Sequence, residues 1–226
     1  MDGDADVVGA VLATVQVGDT SDTGIASEDT TALNFLNGLP NDWYSISGNH
    51  DITTERDSDE YATDYGMSAK NFVVDLGPCV GIFLGYPVIE SSVTWLDTQL
   101  TTYADRICLI FSHVPIYNTT SGSATAGFYL EQSDAVVTVL GNHTNAKAFI
   151  TGHTHTEVSD TIVMLKRCGS HDVACIAAST PYYTIPDDQT DFYTVYISVL
   201  ASSIEVRYRC FTSLGWLETM YTITIE

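Results

Sequence analysis

The chain has 226 residues, with 45% hydrophobic and 16% charged side chains. This composition can bury a sizeable core and excludes a disordered or fibrous chain. Lys and Arg number 8 against 29 Asp and Glu, a formal net charge of -21, so no basic stripe exists to neutralise phosphates, and nucleic acid and anionic membranes are disfavoured as partners.

Any site that handles phosphate in such a chain must import positive charge, most simply as bound metal. Residues 11–17 form a β-branched apolar run ending in Gly18-Asp19, which reads as a buried strand presenting a carboxylate at its carboxyl end. Residues 28–37 place Leu33 and Leu36 on one helical face. Residues 44–47 then run into Gly48-Asn49-His50-Asp51. Arg56 and the segment 57–65 follow this block, and the acidity of that segment reads as a solvated face. The most apolar stretch, 72–89, is interrupted by Asp75, Gly77, Pro78 and Gly85, so it does not form a bilayer-spanning helix. No basic segment followed by an apolar one opens the chain.

A second helix is predicted over 92–103, with Trp95, Leu96 and Leu100, and a third over 133–140. Residues 107–111 lead into Ser112-His113, and 148–151 lead into Gly152-His153-Thr154-His155. Four strands therefore end in potential metal ligands. Their alternation with helices predicts α/β layering, in which ligand sites gather beyond the carboxyl ends of the strands. After His155 the pattern becomes strands at 161–165, 173–177, 192–199, 204–210 and 220–225, read as a second, mostly antiparallel sheet with period-two alternation at Val195, Ile197 and Val199. There is no linker, internal repeat or low-complexity tract, so the chain reads as a single domain over 1–226.

Five cysteines leave at least one without an intrachain partner. Cys168 and Cys175 flank a short loop that a disulfide could close, whereas Cys79, Cys108 and Cys210 read as small buried hydrophobes. His143 reads as an exposed helix end and His171 as a surface residue.

Taken in order, Gly18-Asp19-Thr20-Ser21-Asp22, Gly48-Asn49-His50-Asp51, His113 followed by Pro115, and Gly152-His153-Thr154-His155 resemble the successive motifs of the calcineurin-like metallophosphoesterases. The resemblance extends over 7–226, because the strand-rich tail is similar to the family's second sheet. It implies an α/β fold, a four-layer α-β-β-α sandwich. It also implies hydrolysis of a phosphate mono- or diester by two divalent metals about 3.5–4 Å apart. Imidazole, carboxylate and amide oxygen suit Mn, Fe or Zn. Carried over residue by residue, Asp19 bridges the metals, Asn49, His113 and His153 complete the second metal's shell, and His155 belongs to the first. His50 contacts the phosphoryl oxygens and protonates the leaving oxygen, Asp51 orients His50, and Asp22 anchors the Asp19 loop, while Asp22 and Asp51 read equally well as loop-capping carboxylates. Purple acid phosphatases carry a tyrosine where Asp22 stands, which argues against that branch.

Family members open with a strand ending in Asp-x-His, and this sequence has no such motif. The expectation is a member that starts late, with the first strand missing and a first metal site holding only Asp19 and His155. That site would bind weakly, leaving one ion instead of two. Residues 6–10 resemble the end of the family's first helix. The absent strand would leave a sheet edge to be covered by a second copy or a partner chain. The expected substrate is a small soluble phosphate ester. The alternative is a non-catalytic binding or structural module that keeps the scaffold. Localisation is left open, although scarce Lys and abundant Asp fit a secreted or salt-adapted soluble protein.

Overall fold

The computed structural model of the protein describes residues 11–116, 130–154, 163–178, 193–210 and 221–224. Strand β1 (Ala13–Val17) leads through α1 (Ala26–Asn37) to β2 (Asp42–Ile46), which pairs with it in parallel, Val15 opposite Tyr44 and Val17 opposite Ile46. A short α2 (Ser58–Asp64) precedes the antiparallel pair β3 (Asn71–Asp75) and β4 (Val80–Leu84), where Gly77 lies in the turn. Then follow α3 (Glu90–Thr102), β5 (Cys108–Ser112), α4 (Ser133–Asn142), β6 (Ala146–Thr151), β7 (Val163–Cys168) and β8 (His171–Ala177). The tail supplies β9 (Tyr193–Val199), β10 (Ser203–Cys210) and β11 (Tyr221–Thr224).

Six strands form the main sheet in the order β3-β4-β5-β6-β8-β7. Its central strands β4, β5, β6 and β8 are parallel, and a hairpin closes each edge. One face is covered by α3 and α4, whose Leu96, Leu100, Val136 and Leu140 pack with Ile82, Leu84, Ile110 and Phe149. The other face meets the β1-β2 pair and the β11-β10-β9 sheet, with Phe83, Phe111, Ile150 and Ile176 against Ile46, Ile204, Val206 and Tyr208. Stacked rings at Phe72, Phe83 and Phe111, with centroids 4.5 and 4.8 Å apart, run through that inter-sheet core. Outside β2, Leu36 of α1 packs with Tyr61 and Tyr65, drawing in Leu33 and Trp43. The layers are therefore α-β-β-α. Among the described residues β1 pairs with β2 alone.

Three expectations change. Strands β7 and β8 were assigned to the second sheet but belong to the first, because β8 runs parallel beside β6 with Ala174 opposite Ala148 and Ile176 opposite Ile150. The small pair allows the close approach that continues the core. The acidic 57–65 segment contains a helix that buries Tyr61 and Ala62. The Cys168–Cys175 disulfide is absent and both thiols are free. In the β7-β8 hairpin Cys168 lies opposite His171 and Cys175 opposite Met164. At about 3.4 Å per residue the two cysteines are separated well beyond disulfide reach. Burial raises the Cys79 and Cys108 thiols to about 11 and Cys175 to about 12, which makes them poor nucleophiles. Among the described residues no helix is long and apolar enough to cross a membrane.

Candidate metal centre

The site lies beyond the carboxyl ends of β1, β2, β5 and β6. After β1 the chain turns sharply through Gly18 (φ 94°) and Asp19 (φ 54°), both left-handed. Gln16 braces this turn: its Nε2 donates to the Gly18 carbonyl and its Oε1 accepts from the Gly18 N–H, each at 2.7 Å. A Cβ at Gly18 would fall 2.4 Å from His113 Nδ1, so glycine is what lets the imidazole come under the loop. Gly48 plays the same part on the facing loop, where a Cβ would lie 2.2 Å from Asp19 Oδ1.

His113 follows β5 and is 1% exposed. Its Nδ1 is 2.8 Å from the Val17 carbonyl oxygen. A carbonyl can only accept, so Nδ1 carries the proton and Nε2 of the neutral ring is a bare lone pair. Around that lone pair converge Asn49 Oδ1 at 3.0 Å, Asp19 Oδ2 at 3.1 Å and His153 Nδ1 at 3.1 Å. Ligand atoms of Asp19, His113 and His153 all lie within 4.8 Å of one another. Oxygen acceptors facing a nitrogen lone pair repel one another unless a cation sits among them. Two imidazole nitrogens with a carboxylate and an amide oxygen form a donor set suited to a divalent transition metal. Among the described residues, Asp19 and His153 (φ 65°) are the non-glycine residues with positive φ, a conformation that costs about 1–3 kcal/mol and clusters at functional sites.

Burial pushes the Asp19 carboxyl up, and the main-chain N–H of His50 pulls it down. His50 stands at the rim, its side chain 47% exposed. Its main-chain N–H donates to Asp19 Oδ1 at 2.9 Å, and its Nδ1 is 2.7 Å from the Asp22 carbonyl oxygen. The bond to Asp22 raises the His50 pKa; partial burial opposes this, and the charges of Asp19, Asp22 and Asp51 add to it.

Asp51 is buried between the loops, and the main-chain carbonyl of Asp22 lies beside the His50 ring. The hydrogen bonds of Asp51 bypass the His50 ring: fully buried, its Oδ2 accepts from Gly48 N–H at 2.7 Å and its Oδ1 from Ser21 N–H at 2.9 Å and Ser21 Oγ at 3.2 Å. It ties the loop after β1 to the loop after β2. Burial pushes its pKa up against these donors. Asp22, expected as the anchor, is the residue that holds the His50 ring. His155 lies outside the described residues.

Other expectations are placed elsewhere. His143 is half-buried and its Nε2 is 2.7 Å from Asp97 Oδ1, joining the end of α4 to α3. His171 is also half-buried, not a surface residue. Sequence reading missed the support beneath the site. The Tyr61 hydroxyl of α2 is 2.7 Å from both Thr20 Oγ1 and Ser45 Oγ, reaching the residue after Asp19 and a residue of β2. The available signal was Asp57 three residues before Glu60, a capping box, with Tyr61 and Tyr65 one turn apart.

A four-layer α-β-β-α sandwich with His, Asn and Asp donors gathered at its strand ends defines a metal-site fold of the phosphoesterase class. The chain belongs to the calcineurin-like phosphoesterase family, whose model matches residues 9–157. This family is metal-dependent. A curated 3',5'-cyclic-nucleotide phosphodiesterase of Nostoc sp. is 23% identical over 187 residues, covering 79% of this chain, and the match spans 65% of that protein's length. Among solved structures, a dimetal phosphatase from Danio rerio superposes with a TM-score of 0.64 at 19% identity, covering 96% of this chain and 84% of that one. A Vps29 complexed with Zn from Entamoeba histolytica matches with a TM-score of 0.46 at 10% identity, covering 97% and 85%.

Proposed function

We propose that the protein is a metal-dependent phosphoesterase that hydrolyses a small phosphate mono- or diester with metal-activated water. The observation that carries this reading is the convergence of Asp19, Asn49 and His153 on the bare Nε2 of His113. These four residues would hold a divalent ion, with Mn, Fe or Zn fitting the donors. A second ion would share Asp19 and take His155. When bound, the metal supplies Lewis-acid charge at the phosphoryl oxygens and lowers the pKa of water.

The chain's own residues supply the rest. His50 is held at the rim by the Asp22 carbonyl, so its Nδ1 proton is occupied and Nε2 remains to face substrate. The bond to the Asp22 carbonyl raises its pKa and orients the ring, an arrangement suited to donating a proton to the leaving oxygen. The left-handed turn at Asp19 and the Asp51 bridge keep the two loops at fixed spacing. The net charge of -21 disfavours a polyanionic substrate, and the name of the Nostoc relative makes a cyclic nucleotide the first diester to try.

The test pairs metal content with turnover. Protein loaded with Mn and the His113→Ala variant would be measured by elemental mass spectrometry and assayed on p-nitrophenyl phosphate, bis-p-nitrophenyl phosphate and 3',5'-cyclic AMP. The expected result is at least one ion per chain with turnover, both lost in His113→Ala. Bound metal without turnover on any ester would instead assign the chain to a non-catalytic module. No bound metal would sink the reading.

A further inference from the structure

We infer that Arg56 is a positioning residue for His50, working through the main chain of Asp51; the inference rests on the hydrolytic reading above. Arg56 lies outside the four motifs, and its side chain is 11% exposed. Its Nε and one terminal nitrogen both donate to the Asp51 carbonyl oxygen, at 3.0 and 2.7 Å. The other terminal nitrogen donates to Asp29 Oδ2 of α1, and the guanidinium lies over the Tyr61 ring, 5.4 Å from its centroid. Asp29 is in turn held by the Tyr65 hydroxyl, which donates to its Oδ1 at 2.9 Å.

Asp51 is thus fixed twice, by its carboxylate to Gly48 and Ser21 and by its carbonyl to Arg56. His50 lies directly between Asn49 and Asp51. Among the described residues its half-exposed ring has one direct hydrogen bond, to the Asp22 carbonyl, so the place of that ring depends on its backbone being held on both sides. On the amino side, the His50 N–H is tied to Asp19. On the carboxyl side the tie is the guanidinium fork, which fills both lone pairs of one carbonyl in a way that an ammonium cannot.

A buried Arg–Asp pair is a poor device for stability, because desolvation offsets most of the attraction and apolar replacements are often neutral. Its geometric effect is larger, since a displacement of about 1 Å in a reacting group can cost on the order of 100-fold in rate. The fork serves placement of the general acid; of the metal donors, Asn49 shares the His50 loop, whereas Asp19, His113 and His153 follow other strands.

The test uses the double variant Arg56→Met/Asp29→Asn, which removes the fork without leaving a buried charge unpaired and keeps an acceptor for Tyr65. Arg56→Lys is the conservative partner. Each would be compared with wild type for melting temperature, Mn affinity by calorimetry, kcat and KM on bis-p-nitrophenyl phosphate, and the His50 Nδ1–H signal by 15N-edited NMR. The expected result is a folded double variant with Mn affinity within about threefold of wild type. Its kcat should fall roughly 10- to 100-fold, its KM should change little, and its Nδ1–H signal should be lost to exchange. Arg56→Lys should recover part of kcat. A folded double variant with kcat within about twofold of wild type and the Nδ1–H signal retained would overturn the inference, as would loss of Mn affinity in step with kcat. If wild type itself shows no turnover, the hydrolytic reading falls, and the NMR comparison alone decides whether Arg56 holds His50.

Discussion

His171, the first residue of β8, carries both ring nitrogens out of solvent and without a hydrogen-bond partner among the described residues. Burial lowers its pKa, nearby Lys147 and Arg167 push the same way, and the charge of Asp172 offsets them only in part. A histidine whose folded pKa lies below its unfolded value contributes no penalty above about pH 6.5, and stability is lost as pH falls through that value, because the unfolded chain takes up the proton first. Urea unfolding at pH 7.5 and 5.5 should therefore show a smaller loss on acidification for His171→Leu than for wild type. Equal losses in the two proteins would refute the assignment. The ring was read as a surface group because its cover comes from packing that no local pattern encodes. The gathering of Asp19, Asn49, His113 and His153 was legible for the opposite reason: each follows a strand, so topology alone delivers them to one end of the sheets. What could not be read was which carboxylate serves which loop. Asp51 folds back onto the Gly48 and Ser21 N–H groups, and main-chain donors carry no sequence signature.

At the level of elements, α2 is the piece most dependent on its own ends. Seven residues are too few for an independent helix, so α2 relies on packing of Tyr61 and Tyr65 and on its capping box. Asp57 accepts from the N–H groups of Asp59 and Glu60, and Glu60 returns a bond to the Asp57 N–H. Asp57→Ala should lower unfolding free energy by about 0.5–2 kcal/mol in urea. A change within error would mean that packing alone holds the helix. The longer elements follow from periodicity: α1, α3 and α4 lie within two residues of their expected bounds at either end, as do most strands. The assignment of β7 and β8 to a sheet did not follow, because alternation marks a strand without naming its neighbour. That choice was made by the fit of Ala174 against Ala148 on β6. In β6 itself, an extra residue, Lys147, opposite the Cys108–Leu109 step of β5 turns both Ala146 and Phe149 toward the helix layer, which strict alternation would have separated.

For the whole molecule, charge and metal act on the same quantity and can be separated by concentration. Acidic groups outnumber basic ones 29 to 8, and several of the cations are already committed: Arg56 to Asp29, Arg106 to Asp75 and Arg167 to Asp172. The surplus carboxylates repel one another across the folded surface. Raising NaCl from about 0.02 to about 0.5 M shortens the screening length below typical charge spacings, so the melting temperature should rise. An ion held by Asp19, Asn49, His113 and His153 stabilises by mass action instead, by about 2.7 kcal/mol at a hundred times its dissociation constant. It does so at micromolar Mn, where screening is unchanged. Differential scanning calorimetry should therefore show two responses in wild type, one to salt and one to micromolar Mn. His113→Ala should keep the first and lose the second. If the variant keeps both, Mn is acting on the diffuse surface charge and the four donors do not form its site.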